Sequence, residues 1–431
     1  MTRGRLLRSR LARRRLLREA TITYVAAVLT LAINLLTGLI LARALGTTGR
    51  GELTAILTVP QMVGWAFSLG CGLAIAYHQA RHPADGGRLL GTWIGPVLVL
   101  GCLAFISGEA LLAHLLAAQT PATYRLAQLY MLIVLISPFA DLIQGFLLGD
   151  HDFSFYNAAR VAQPAVAAFL YLSLWRLDQL TVEAAVAVLA AVAVVGTLVA
   201  AGRVLRRHSL SRPSRSLGQT TAWYGLRVHG SNVGGVLNTR LDLLIIPAFV
   251  AASEVGLYSV ATSVSWMVFA LSGPLTALVL PMAARQDQHG SRTVVHALQM
   301  TLLIAVVLAG GIAVLAEVGV RLVYGSAFAD AALPLRLLLP GTVLYAGACV
   351  LGAGLQAAGH PFASTAAQAA GVPVSVIGLL LFLDTAGINA AAVASSASYS
   401  VIFITALMLY RRKTGVSWHE LLPVRGPACL R

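Results

Sequence analysis

"LILARALGTTGRGELTAIL", Leu39 to Leu57, decides how the chain is read. Gly46, Gly49 and Gly51 stand with Arg43, Arg50 and Glu52 between two apolar runs. A glycine-rich turn with arginines has two readings. One is a phosphate cradle, which sits between a strand and a helix. The other is a tight hairpin between two membrane helices. The run before the turn, Thr21–Leu41, is predominantly apolar and about as long as a membrane-spanning helix needs. No strand precedes the turn, so the hairpin reading prevails. The glycines are then expected to make the turn, because glycine takes positive φ without penalty.

Composition agrees. The 431 residues are 58% hydrophobic and 11% charged, with a mean hydropathy of +0.80. A soluble chain carries about a quarter charged residues, so this is an integral membrane protein. The net charge of +15 comes from 30 arginines and one lysine, Lys413, against 16 acidic residues. In a soluble protein that excess would point to nucleic acid. Here arginine gathers at the cytoplasmic ends of membrane helices, and no nucleic-acid partner is expected. Cys71, Cys102, Cys349 and Cys429 show neither metal-ligand spacing nor a disulfide framework. No metal and no cofactor are expected.

"MTRGRLLRSRLARRRLLREA" holds eight arginines before the first run. That run exceeds the 7–15 residues of a signal-peptide core, so it reads as a retained first span. Residues 1–20 then form a basic amphipathic segment lying on anionic membrane lipids.

Twelve apolar segments follow, near 21–43, 55–78, 90–113, 126–149, 159–176, 182–202, 228–250, 255–283, 294–317, 331–357, 361–383 and 387–410. With a cytoplasmic N-terminus, 24 Arg/Lys fall on inner segments and 6 on outer ones, which predicts both termini inside. The expected parts are a six-helix lobe at 21–202, a basic linker at 203–227, a second six-helix lobe at 228–410 and a basic tail at 411–431. "LIIPAFVAASEVGLYSVAT" in the second half echoes the opening stretch. Two six-span halves of one topology are parallel repeats, an architecture of transporters.

Catalytic motifs are missing from the sequence. There is no GxxxxGK[ST], HExxH or GxSxG pattern, and no large loop to hold a catalytic domain. The expectation is a transporter and not an enzyme. Polar residues within spans are costly in hydrocarbon and by default face a bundle interior or a water-filled cavity. They form stripes at helical spacing: Thr23, Thr30, Asn34 and Thr37; Gln61, Trp65 and Ser68; Ser231, Asn238 and Asp242; Ser259, Ser263 and Trp266. One reading is a shared cavity, and the other is interhelical hydrogen bonding.

Arg240 sits close to the middle of the seventh span, where a charge costs at least ~2.5 kcal/mol. Either a carboxylate on another span, such as Asp141, neutralises it, or it receives an anionic substrate, for which a guanidinium suits bidentate phosphate binding. His229 and Arg81, with His78, would form a basic cytoplasmic mouth. Asp141, Glu109 and Glu317 are the candidates for taking up H⁺ or Na⁺, although the two glutamates also read as helix-end residues. Pro60, Pro164, Pro274 and Pro340 mark candidate hinges.

"LARALGTTGRGELTAIL", "NTRLDLLII…EVGLYSVATSV", "LVYGSAFADAALPLRLLLPG" and "GINAAAVASSASYS" resemble the polysaccharide-transporter family, the oligosaccharide flippases of the multidrug/oligosaccharidyl-lipid/polysaccharide superfamily. The resemblance implies an all-α, MATE-like bundle with two six-helix lobes forming a V-shaped cavity. It further implies a polyprenyl-pyrophosphate-linked oligosaccharide as cargo, moved from inner to outer leaflet of the bacterial plasma membrane for cell-surface polysaccharide synthesis. A polysaccharide polymerase and glycosyltransferases would be its partners. The substrate site would take in Arg240, Asn238, Asp242, Asn34, Gln61, His229 and Arg81, with Arg43, Arg50 and Glu52 on the outer hairpin. Twelve spans are fewer than related lipid II flippases usually carry. Two alternatives stand beside this reading: an H⁺- or Na⁺-coupled drug exporter of the same superfamily, and a membrane glycosyltransferase or polymerase.

Overall fold

A computed structural model describes residues 2–283 and 290–421, with side chains outside 2–21, 231–232, 270–283, 290 and 421. Every regular element among these is helical: α1 Thr2–Ser68, α2 Cys71–Arg81, α3 Gly86–Leu115, α4 Pro121–Met131, α5 Ser137–Gly149, α6 Phe153–Arg176, α7 Val182–Arg207, α8 Arg215–Ile245, α9 Ala252–Ala283, α10 Gly290–Tyr324, α11 Ala332–Ala357, α12 Pro361–Thr414 and α13 Trp418–Leu421. Arg285, Cys429 and the end of the basic tail lie outside the described residues, as do the side chains of Ser231, Pro274 and the first basic segment.

Among the described residues, seven helical stretches are long and apolar enough to cross a bilayer. Two are double. At about 1.5 Å per residue, the 47 residues of 22–68 and the 54 of α12 each far exceed a hydrocarbon core of about 30 Å. Each is interrupted by one non-helical glycine: Gly46 at φ 67° and Gly387 at φ 54°. In α12 the two halves pack antiparallel, since Gly378 faces Ala394 and Gly371 faces Ile402 and Ser398. Divided there, the helices account for all twelve apolar segments.

Three features differ from the sequence expectation. The turn after Leu45 needs only one glycine at positive φ. Gly49 and Gly51 are helical, and Gly51 is glycine because a Cβ would land on the Ala252 carbonyl oxygen. The second span is broken, with Leu69 at φ 48° and Gly70 at φ 70° separating α1 from α2. Pro60, Pro164 and Pro340 lie within continuous helices. The backbone departs from α-helix instead at Leu69–Gly70 and in a 3₁₀ stretch, Leu132–Ile136.

The chain forms two compact units. The first comprises residues 1–49, 56–114 and 120–229, and the second takes 50–55, 115–119 and 230–431. The core of the first gathers Ile75, Leu90, Trp93, Phe146 and Val204. That of the second gathers Val294, Leu298, Leu351, Leu355 and Tyr410. Small residues set the helix approaches, as is usual in membranes. Gly145 meets the Gly72 backbone, Gly101 meets Leu135, and Gly341 meets Ser396. Aliphatic side chains such as Leu98, Ile106, Val314 and Leu315 are exposed, as lipid-facing positions are.

The stretch 203–227 is mostly helix, ending α7 and beginning α8. Its short non-helical middle is docked on α3: Ser211 donates its N–H to the Gly87 carbonyl (3.1 Å), and Ser214 N–H donates to Thr92 Oγ1 (2.9 Å). Gly87 and Gly91 leave room for the backbone of Ser209 and Ser211 to lie directly over them.

Candidate functional site

The polar residues singled out in the sequence separate into two clusters, one in each unit.

In the first unit the cluster surrounds the break in the second span. Breaking a helix leaves backbone N–H groups without partners at the new N-terminus. Asp141 on α5 fills that role: its Oδ2 accepts the Gly72 N–H at 3.0 Å and faces the Cys71 thiol at 3.5 Å. An aspartate at a helix start also meets the positive end of the macrodipole. Across the break, Gly70 packs under Gly225 and the Cβ of His229. The His229 imidazole lies against Trp65, with ring centroids 4.5 Å apart. Asp141 is therefore committed to a backbone at this break.

At the far end of α2, Arg81 covers the Tyr77 ring at 4.7 Å. Tyr77 stacks on Tyr224 at 4.3 Å, and the His78 ring meets Tyr224 edge-on. Asn34 and Gln61 are exposed in their helices. Thr23 receives the Asn157 amide at 2.9 Å, whereas Thr37 bonds back to its own helix.

In the second unit, α8 carries Asn238 and Asp242 on one face and Arg240 on another. Asn238 and Asp242 are buried. Asn238 donates to the carbonyls of Gly234 (2.7 Å) and Gln368 (2.6 Å), and Ser398 donates to its oxygen (3.3 Å). The Asp242 carboxylate accepts from the Tyr258 hydroxyl (2.6 Å), the Ser395 hydroxyl (3.2 Å) and the Leu243 N–H (2.8 Å). Ser259 and Ser263 bond back along α9. Asn238, Asp242, Ser259 and Ser263 are thus engaged in interhelical and intrahelical hydrogen bonds, the second of the two sequence readings. A buried carboxylate needs this density of donors to be tolerated at all.

Arg240 points the other way. It is exposed, and among the described residues it forms no ion pair.

The remaining candidates are distributed elsewhere. Glu109 accepts the Gln128 amide at 3.1 Å through one oxygen, and its other oxygen is buried without a hydrogen-bond partner. Glu317 is half exposed and paired with Arg321 one turn along α10 at 2.7 Å, which makes it a neutralised helix-end residue. Arg43 is exposed, and Arg50 and Glu52 are half-buried beside Gly51. No group of three or more His, Cys, Asp or Glu able to hold a metal occurs among the described residues.

Sequence reasoning missed a third arrangement. At the end of the first unit opposite Asp178, Asp150 receives the Gln79 amide and the His208 Nε2, both at 2.8 Å. Beside it Asp152 receives Arg203 and Arg207, each at 2.8 Å. Burial pushes the Asp152 carboxyl up, but the Arg203 hydrogen bond and the Arg207 and Arg203 charges outweigh it and hold it below the usual carboxylate value. The only sequence signal was a pair of aspartates in a loop facing a run of arginines.

The model of the polysaccharide biosynthesis protein family matches residues 40–333, well over half of the sequence. The chain belongs to that family. A curated relative, "Probable low-salt glycan biosynthesis flippase" of Haloferax volcanii, is 25% identical over 198 residues. That alignment covers 45% of this chain and 42% of the relative, less than half the length of each. Two solved structures share the fold. An inward-facing multidrug resistance MATE transporter of the MOP superfamily matches 90% of this chain and 95% of its own, at TM-score 0.72 and 18% identity. The lipid II flippase MurJ, in an inward closed conformation, matches 90% of this chain and 87% of its own, at TM-score 0.77 and 13% identity. The chain is a multi-pass, all-helical membrane protein with the MATE-like fold, and its relatives are flippases and transporters.

Proposed function

We propose that this protein is a flippase for a polyprenyl-pyrophosphate-linked oligosaccharide, moving it from the inner to the outer leaflet of a bacterial plasma membrane by alternating access. The observation that carries the reading is Arg240. Its guanidinium is exposed near the end of α8, in no ion pair among the described residues, and so is free to meet water or an anion. A pyrophosphate presents the planar oxygen pairs that arginine binds best. The family membership and the glycan-flippase relative supply the class of cargo. The excess of 24 inner over 6 outer basic residues supports cytoplasmic termini.

The exporter alternative needs a carboxylate free to take up a cation. Asp242 accepts from three donors of its own unit, and Asp141 already holds the Gly72 N–H and the Cys71 thiol on one of its oxygens. The test is transport of a fluorescent polyprenyl-pyrophosphate disaccharide in vesicles. Arg240→Ala should lower the rate about ten-fold or more, the worth of a charge-assisted hydrogen bond, and Arg240→Lys should recover part of it. An unchanged rate in Arg240→Ala removes Arg240 as the phosphate anchor. Gradient-driven uptake of a cationic dye, with no glycan movement, would replace the flippase by the exporter.

A further inference from the structure

The first unit carries an apolar trench between α6 and α7, with a volume of about 450 Å³. Phe155, Ala158 and Ala162 form one wall and Ala191, Val195 and Val199 the other. Alanines make the trench, since their side chains are too short to fill the space between the two helices. From Ala191 to Val199 it runs about 12 Å along the axis, most of the hydrocarbon half-thickness of one leaflet, about 15 Å.

What lies at its end is decisive. Val195, Val199 and Arg203 follow at four-residue intervals on one face of α7, and Arg206 comes one turn later. The Arg203 guanidinium sits 5.0 Å above the ring of Phe155, which is itself part of the trench wall. Asp152 answers both Arg203 and Arg207, so one carboxylate meets two positive charges. Arg206 is exposed and forms no ion pair among the described residues. With Asp150 beside Asp152, the three arginines still leave the trench end net positive, and Arg206 is the one with no ion pair among the described residues.

The second unit offers a built-in contrast. A trench of about 650 Å³ lies between the two halves of α12, lined by Val374, Ile377, Phe382 and Val393. It is as apolar as the first, but the nearby charges are acidic: Asp384 lies just before Gly387, and Gly387 packs against Glu254. Residues 361–410 contain no arginine or lysine. Shape alone does not distinguish the two trenches, and charge does.

We infer that the α6–α7 trench is a binding site for an anionic membrane phospholipid, with one acyl chain in the trench and the phosphate at Arg203 and Arg206. Basic pockets between membrane helices at one leaflet are how such headgroups are recognised, and the walls are apolar apart from Gln163, which suits an acyl chain better than a glycan. The site is independent of which cargo the protein moves, because it lies on one unit and is defined by α6 and α7 alone.

The test uses the full-length protein, delipidated in detergent and titrated with phosphatidylglycerol or phosphatidylcholine in mixed micelles, with bound lipid counted by native mass spectrometry. One phosphatidylglycerol should bind well ahead of phosphatidylcholine. Arg206→Ala, which breaks no ion pair, should weaken it about five-fold. Ala162→Trp, which fills the trench without touching the charge, should abolish the preference. Equal binding of the two lipids, or phosphatidylglycerol binding that neither variant changes, overturns the site. Displacement of phosphatidylglycerol by an equimolar polyprenyl phosphate overturns the assigned occupant. Should Ala162→Trp not fold, Arg206→Ala decides alone.

Discussion

Gly51 and Arg240 show how much single positions carry. A Cβ at Gly51 has nowhere to go, because the atom it meets is the Ala252 carbonyl oxygen, which is main chain and cannot rotate away. Gly51→Ala is expected to destabilise by about 1–3 kcal/mol, the usual range for overpacking. Gly310 on α10 has nothing within 4 Å of a built Cβ, so Gly310→Ala should unfold at the wild-type temperature or slightly above it. Thermal unfolding of both variants in detergent checks the pair. The sequence revealed that Gly51 mattered but gave the wrong reason, since the turn chemistry belongs to Gly46 and the packing partner lies 201 residues away at Ala252. For Arg240 the sequence gave the right puzzle. Helical periodicity separates it from Asn238 and Asp242 by face, but periodicity does not say what each face packs against. Only tertiary packing shows that two of the three are buried beneath α9 and α12 residues.

Among elements, the second span is the least legible from sequence. Residues 55–78 read as one continuous apolar run, yet the helix stops at Ser68 and restarts at Cys71. The cause is a carboxylate on α5, far along the chain, that supplies the acceptor the restarted helix needs. The junction of α6 and α7 is legible in part, because arginines at a helix end were expected to face the cytoplasm, although their partner Asp152 was not foreseen. That junction titrates in a known direction. The Asp152 carboxyl is held below the usual value of 3.8, so its contribution to stability is complete above that value and is lost as pH falls through the lowered one. The difference in unfolding temperature between wild type and Asp152→Asn should therefore be full at pH 7 and shrink progressively below about pH 4. A difference independent of pH would mean that Asp152 acts through its hydrogen-bonding shape and not its charge.

For the molecule as a whole, hydropathy and arginine counting carried most of the weight. Twelve apolar segments were read from the sequence and each has its helix, because length and apolarity are set by the bilayer and not by distant contacts. Arginine asymmetry also predicts a checkable topology. In a background whose four cysteines are alanine, Asp178→Cys should react with an impermeant maleimide in intact cells, whereas Leu210→Cys should react only after permeabilisation. The reverse pattern would invert the whole chain in the membrane and, with it, the leaflet that meets the α6–α7 trench. Gly46 and Gly387 add a constraint on synthesis. Two spans joined through one residue have little slack, so each pair is expected to enter the bilayer as a hairpin and not one helix at a time. Register is equally unforgiving: one residue added after Gly46 would rotate the following helix by about 100° and swing Gly51 away from Ala252.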